Sequence, residues 1–163
     1  MPAASAAANR DVLPLGAEHI ERLIAIDRAH SGQARRRFFE KRLAAAKAHP
    51  GDYIHIGVMR GGALRGFAIA RILHGEFGYQ HTVAILDAIG VELESQEQGI
   101  GQALMEELFA NLRRTGVYSL HSQATWTNHD LLRFFGAWKF QLAPRLALER
   151  PITQLLEEAG ADE

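Results

Sequence analysis

Asp87-Ala88-Ile89-Gly90-Val91-Glu92-Leu93-Glu94-Ser95-Gln96-Glu97-Gln98-Gly99-Ile100-Gly101 carries the chain from an apolar strand candidate into a glycine turn. Upstream, His81 to Val91 has the nearly continuous apolar run of a buried central strand. Downstream, Ile100, Leu104, Leu108 and Leu112 form the stripe of an amphipathic helix. Gly99 and Gly101 lack a Cβ, so the backbone there turns tightly and a ligand can approach closely. The helix that follows presents unpaired N–H groups and the positive end of its dipole, which together make a phosphate cradle. A plain strand-to-helix connection is the competing reading. Spacing excludes two nucleotide motifs. A P-loop needs Gly-Lys-Ser/Thr, and Gln102-Ala103 follows Gly101; a Rossmann fingerprint needs a third glycine where Leu104 stands.

Outward from this stretch, the pattern is that of one α+β domain over residues 11–150. Val12 and Leu13 begin a short strand stopped by Pro14, and Ile20, Leu23, Ile24 and Ile26 mark a helix ending near Gly32. A second helix spans about Gln33 to Ala48. Tyr53–Arg60 and Leu64–Leu73 alternate as strands joined at Gly61-Gly62, a hairpin. After the glycine turn and its helix come a strand at Val117–Ala124 and a helix at Asn128–Trp138. Phe140–Leu142 and Arg145–Glu149 are expected to close the fold as a hairpin around Pro144. Residues 1–10 are expected to be a flexible tail, and residues 151–163 a tail or short helix.

Composition bounds the function. The 163 residues carry 18 Lys+Arg and 19 Asp+Glu, a net charge of −1 that gives no bulk attraction to nucleic acid. There is no cysteine, which removes disulfides, thiolate metal sites and a Cys nucleophile. The eight histidines form no His-x-His or His-Glu-x-x-His spacing, so no metal is expected. No apolar run is long enough to span a membrane, and the Ala-rich start lacks a signal peptide's basic and apolar regions. A cytoplasmic protein is expected. Arg35-Arg36-Arg37 beside Phe38-Phe39 reads as the solvated face of an amphipathic helix, with steering of an acidic ligand as the alternative.

Gln96-x-x-Gly99-x-Gly101 at the end of a long strand resembles the acetyl-CoA-binding motif of the GNAT superfamily of N-acetyltransferases. Asn128-x-x-Leu131-x-x-Phe134-Phe135-x-x-x-Lys139-Phe140 is similar to that family's second motif, and the order of elements agrees. The resemblance implies a mixed, mostly antiparallel sheet of six to seven strands flanked by about four helices. It places the cofactor cleft between the fourth and fifth strands. It further implies that backbone groups of Ile89 and Val91 pair with the pantetheine arm, and that the N–H groups of Gln96, Gln98, Gly99, Ile100, Gly101 and Gln102 hold the pyrophosphate. Asn128 would lie near the pantetheine and Phe135 near the thioester sulfur. Acetyl-CoA is then the co-substrate and a small amine or peptide amine the acceptor. A homodimer is common among GNAT proteins.

Acetyl transfer to an amine needs removal of the amine proton, polarisation of the thioester and protonation of the leaving thiolate. Asp87 is the candidate general base: strict alternation would place it on one face with Ile85, Ile89 and Val91. The alternative for Asp87 is a structural pair with an arginine. The family's frequent proton donor is a tyrosine at the place Phe135 occupies, and Phe cannot donate. Tyr79 and His121 are the candidates to replace it. The rival from another class is a non-catalytic acyl-CoA-binding or sensor module on the same fold.

Overall fold

The computed structural model describes residues 11–152, and the expected N-terminal tail and C-terminal helix lie outside that range. The chain forms two compact units, one ending at Gln123 and the other beginning at Ala124.

The first unit is a five-stranded sheet in the order β1 (Val12–Pro14), β2 (Tyr53–Arg60), β3 (Ala63–Leu73), β4 (Val83–Val91), β5 (Ser119–Ser122). Sequential neighbours pair antiparallel from β1 to β4. The β4–β5 pair is parallel, because the helix between them, α3 (Ile100–Arg114), carries the chain back across the sheet. Pro14, which has no N–H to give to a ladder, sits on the edge strand.

The two faces of the sheet are covered separately. Leu23, Ile24 and Ile26 of α1 (Ile20–Ser31), with Phe39 and Leu43 of α2 (Arg36–Ala48), pack on Leu64, Phe67 and Ile69 of β3. Phe39 and Phe67 meet edge to face at 5.6 Å. On the other face α3 buries Ile100, Leu104, Leu108 and Leu112, the stripe the sequence predicts. Gly66 is what lets α3 settle there. A Cβ at Gly66 would stand 2.6 Å from Ile100 Cγ2 and 3.2 Å from Leu104 Cδ1.

In the second unit α4 (His129–Ala137) is begun by Asn128, whose side chain accepts a hydrogen bond from Leu131 N at 3.2 Å. The expected hairpin over Phe140–Leu142 and Arg145–Glu149 does not form, and among the described residues the sheet has five strands rather than six or seven. Lys139 turns the chain with a positive φ of 62°, and Arg145 N bonds two residues back, to Ala143 O. Leu142, Leu146 and Leu148 are all exposed, so no apolar burial offsets the ordering of a two-stranded hairpin.

Candidate active site

The β4–β5 ladder ends early. Its last partners are Leu86 and Ser122, fastened by Ser122 Oγ donating to Leu86 O at 3.0 Å. Beyond that point residues 87–91 of β4 have β3 on one side and no ladder to β5 on the other. At the same point β4 bulges against β3: Ala88 faces Ile69 and Leu86 faces Ala70, so Asp87 is the extra residue.

The bulge corrects the face expected for Asp87. Asp87 shares its face with Ile85 and Arg71, the face covered by α1 and α2. Ile89 and Val91 pair with Ala68 and Gly66, and Gly66 looks toward α3, so these two residues lie on the opposite face. The uninterrupted apolar spelling of Val83–Leu86 gave no alternation from which the flip could be read.

Asp87 is held on both oxygens. Arg71 Nε donates to Oδ1 and Oδ2 at 3.1 Å, and Arg42 from α2 stands 3.2 Å from Oδ2. His55 of β2 is 6% exposed in this region, and neither ring nitrogen has a hydrogen-bond partner. Burial, with help from the charge of Arg42, pulls its pKa down to about 4.

The open edge of β4 is reached by a residue that motif reading did not single out. Glu92 N donates to Arg65 O, so the carbonyl of Val91, in the same peptide unit, points away from β3. His30, at the end of α1, donates from Nε2 to that carbonyl at 2.6 Å.

Past Val91 the three acidic residues of the turn are not equivalent. Glu92 is turned inward, where Arg22 pairs with Oε1, Arg65 lies 2.6 Å from Oε2, and Ser95 Oγ donates to Oε2 at 2.8 Å. Arg60 reaches the turn from β2 and donates to Gln98 O at 3.2 Å. The cations absent from the turn's own sequence thus arrive from α1, β2 and β3. Gly99 has φ of 76°, and the first helical bond runs from Ala103 N to Gly99 O. Ile100, Gly101 and Gln102 form the first turn of α3, whose N–H groups helix geometry leaves without intrahelical acceptors. Gln96 N lies 3.4 Å from Leu93 O.

Tyr79 and His121 are brought together. Tyr79 Oη lies 3.4 Å from His121 Nδ1, and Ser119 Oγ lies 2.8 Å from His121 Nε2. His121 faces Ile85 across the ladder, on the Asp87 side of the sheet. The signal for Ser119 was in the sequence: residues two apart on a strand share a face.

Arg35 and Arg36 are spent within the chain. Arg35 Nε donates to buried Asp27 at 2.8 Å, which raises the pKa of its guanidinium further, and Arg36 makes two bonds of 2.8 Å to Glu21. In the second unit Phe135 is buried with its ring centroid 4.7 Å from that of Phe140, whereas Trp126 is 88% exposed. Among the described residues no group of three His, Asp or Glu side chains is placed to hold a metal ion. No helix among them is long and apolar enough to cross a membrane.

Residues 17–140 match the model of the Acetyltransferase (GNAT) family. No curated protein sequence matches the chain. Among solved structures, the chain resembles the aminoglycoside acetyltransferase meta-AAC0020, from an uncultured soil metagenomic sample, in complex with sisomicin. The TM-score is 0.66 at 14% identity over 86% of this chain and 93% of that one. Aminoglycoside N-acetyltransferase AAC(6')-Iy in complex with CoA gives a TM-score of 0.69 at 17% identity over 87% and 94%. A transcriptional regulator from Bacillus halodurans C-125 gives 0.69 at 16% identity over 86% and 98%. At these identities the structures speak for the fold, and the family match speaks for the chemistry: the chain belongs to the GNAT family of acetyltransferases.

Proposed function

We propose that this enzyme transfers the acetyl group of acetyl-CoA to a primary amine by direct attack within a ternary complex. The observation that carries the reading is the open edge of β4 beyond Leu86, leading straight into the glycine turn and the first turn of α3. An amide-bearing arm lies along such an edge as an added strand, and the N–H groups that follow suit a diphosphate. Backbone groups of Ile89 and Val91 take the pantetheine, and His30 yields the Val91 carbonyl when it arrives. Gln98, Gly99, Ile100, Gly101 and Gln102 take the diphosphate, with Gln96 at its edge. Asn128 and Phe135 complete the cofactor set on the strength of the second motif. With Glu92 neutralised by Arg22 and Arg65, the turn does not present that carboxylate's full charge to a phosphate.

Asp87 takes the proton of the incoming ammonium, directly or through water. Its lone pairs are shared with Arg42 and Arg71, which fix the carboxylate on the α1–α2 side of the sheet. A cytoplasmic homodimer is part of the proposal, supported by the exposed Leu142, Leu146 and Leu148. Phe135 supports a second reading, a non-catalytic acyl-CoA-binding module, because no hydroxyl stands at that place in the motif. A panel of amines separates the two: polyamines, amino acids, aminoglycosides and peptide N-termini, each followed by release of the coenzyme A thiol. Turnover with any of them supports the enzyme, and acetyl-CoA binding with no transfer to any of them supports the module.

A further inference from the structure

We infer that Tyr79, His121 and Ser119 form a proton carrier that passes the second amine proton from nitrogen to sulfur, with Ser119 setting the tautomer of His121. The inference rests on the acetyl-transfer reading. It answers what the second motif leaves open, since Phe135 has no proton to give.

The geometry is specific. His121 has a hydroxyl at each ring nitrogen, Tyr79 Oη at 3.4 Å from Nδ1 and Ser119 Oγ at 2.8 Å from Nε2. The Tyr79 and His121 rings lie 5.0 Å apart at 59°. His121 sits one residue from the point where the ladder stops, on the face that carries Asp87, Arg71 and Arg42. In the relay Ser119 Oγ accepts from Nε2–H, which leaves the lone pair of Nδ1 to accept from the Tyr79 hydroxyl.

The steps balance. An ammonium substrate loses its first proton to Asp87, and thence to solvent. The neutral amine attacks the thioester carbon; a C–N bond forms, and the nitrogen still carries one proton too many. That proton passes to Tyr79 Oη as Tyr79 gives its own to His121 Nδ1, making an imidazolium that keeps its Nε2–H on Ser119. The C–S bond breaks with its electron pair on sulfur. Tyr79 protonates the sulfur and recovers a proton from Nδ1. Amine and acetyl-CoA become amide and coenzyme A, and the three side chains return to their starting state.

The test uses the full chain. Long-range 15N–1H NMR of the His121 ring should show the Nε2–H tautomer in the wild type and a shift toward Nδ1–H in Ser119→Ala. An Nδ1–H ring in the wild type overturns the proposal whatever the activity. With an acceptor from the amine panel, Tyr79→Phe and His121→Gln should each lower kcat by about a hundredfold, within the range for general acid–base groups. The KM for acetyl-CoA should stay within about twofold. Ser119→Ala should lower kcat less, and Ser119→Thr, which keeps the hydroxyl, should restore it. An active wild type whose kcat survives all three removals overturns the relay alone. A folded wild type that acetylates no amine overturns the acetyl-transfer reading, and the relay with it.

Discussion

Asp87 is where the local chemistry concentrates, because one carboxylate answers two guanidinium groups at the bulge of β4. Asp87→Asn should lower the acetylation rate by about a hundredfold, the range for losing a general base, while acetyl-CoA affinity stays unchanged. Steady-state kinetics beside a binding titration checks this, and a fully active variant would leave Asp87 a purely structural pair. His55 makes a prediction of another kind. Its folded pKa of about 4 lies below the ordinary 6.5, so the unfolded chain binds the extra proton first. Its contribution is therefore complete above pH 6.5 and is lost as pH falls toward 4, by about 3 kcal/mol at most. His55→Leu should flatten the fall in Tm between pH 7 and pH 4.5; an unchanged slope would assign acid loss to other groups. The sequence named Asp87, Tyr79 and His121, but it did not show what surrounds them. Arg42 and Arg71 come from α2 and β3, and no spacing along the chain encodes a meeting across a sheet.

Elements were the most legible level. The period of two in β2 and β3, the stripe of α3 and the stop at Gly32 all stand in the structure close to where the pattern puts them. What the pattern missed were departures from regular pairing. The bulge at Asp87 falls in a continuous apolar run, and the residues after Lys139 alternate like strands yet find no partner ladder among the described residues. Gly66→Val tests how α3 is held. Its side chain would collide with Ile100 and Leu104, so we expect a loss of about 1–3 kcal/mol from overpacking. Acetyl-CoA binding should weaken with it, since Ile100 begins the helix that ends the turn. A stable variant with wild-type affinity would detach the turn from α3 packing. The end of α1 makes the opposite prediction. His30→Ala frees the Val91 carbonyl, and acetyl-CoA should bind about fivefold tighter, the equivalent of one net hydrogen bond. Unchanged or weaker binding in an isothermal titration would remove His30 from the cofactor's path.

The architecture of the first unit turns on one interruption. A five-stranded sheet covered on both faces would be a closed scaffold if β4 and β5 paired along their full length. They part after Leu86 and Ser122, and the loop beyond the parted strand opens onto a helix N-terminus. Family membership was readable because both halves of that arrangement lie in one continuous stretch, Asp87 to Gly101, which also falls within the matched residues. The acceptor was not readable, since the groups on the Asp87 side of the sheet come from separate elements, Arg42 from α2, Arg71 from β3 and His121 from β5. If the open edge and glycine turn hold acetyl-CoA, a thermal-shift titration with acetyl-CoA, coenzyme A, ATP and NAD will single out acetyl-CoA. At about a hundred times its dissociation constant, acetyl-CoA should add about 2.7 kcal/mol of stability, an increase that Gly101→Trp abolishes. No shift with acetyl-CoA, or a larger one with ATP or NAD, would mean that the open edge and glycine turn are not an acetyl-CoA site.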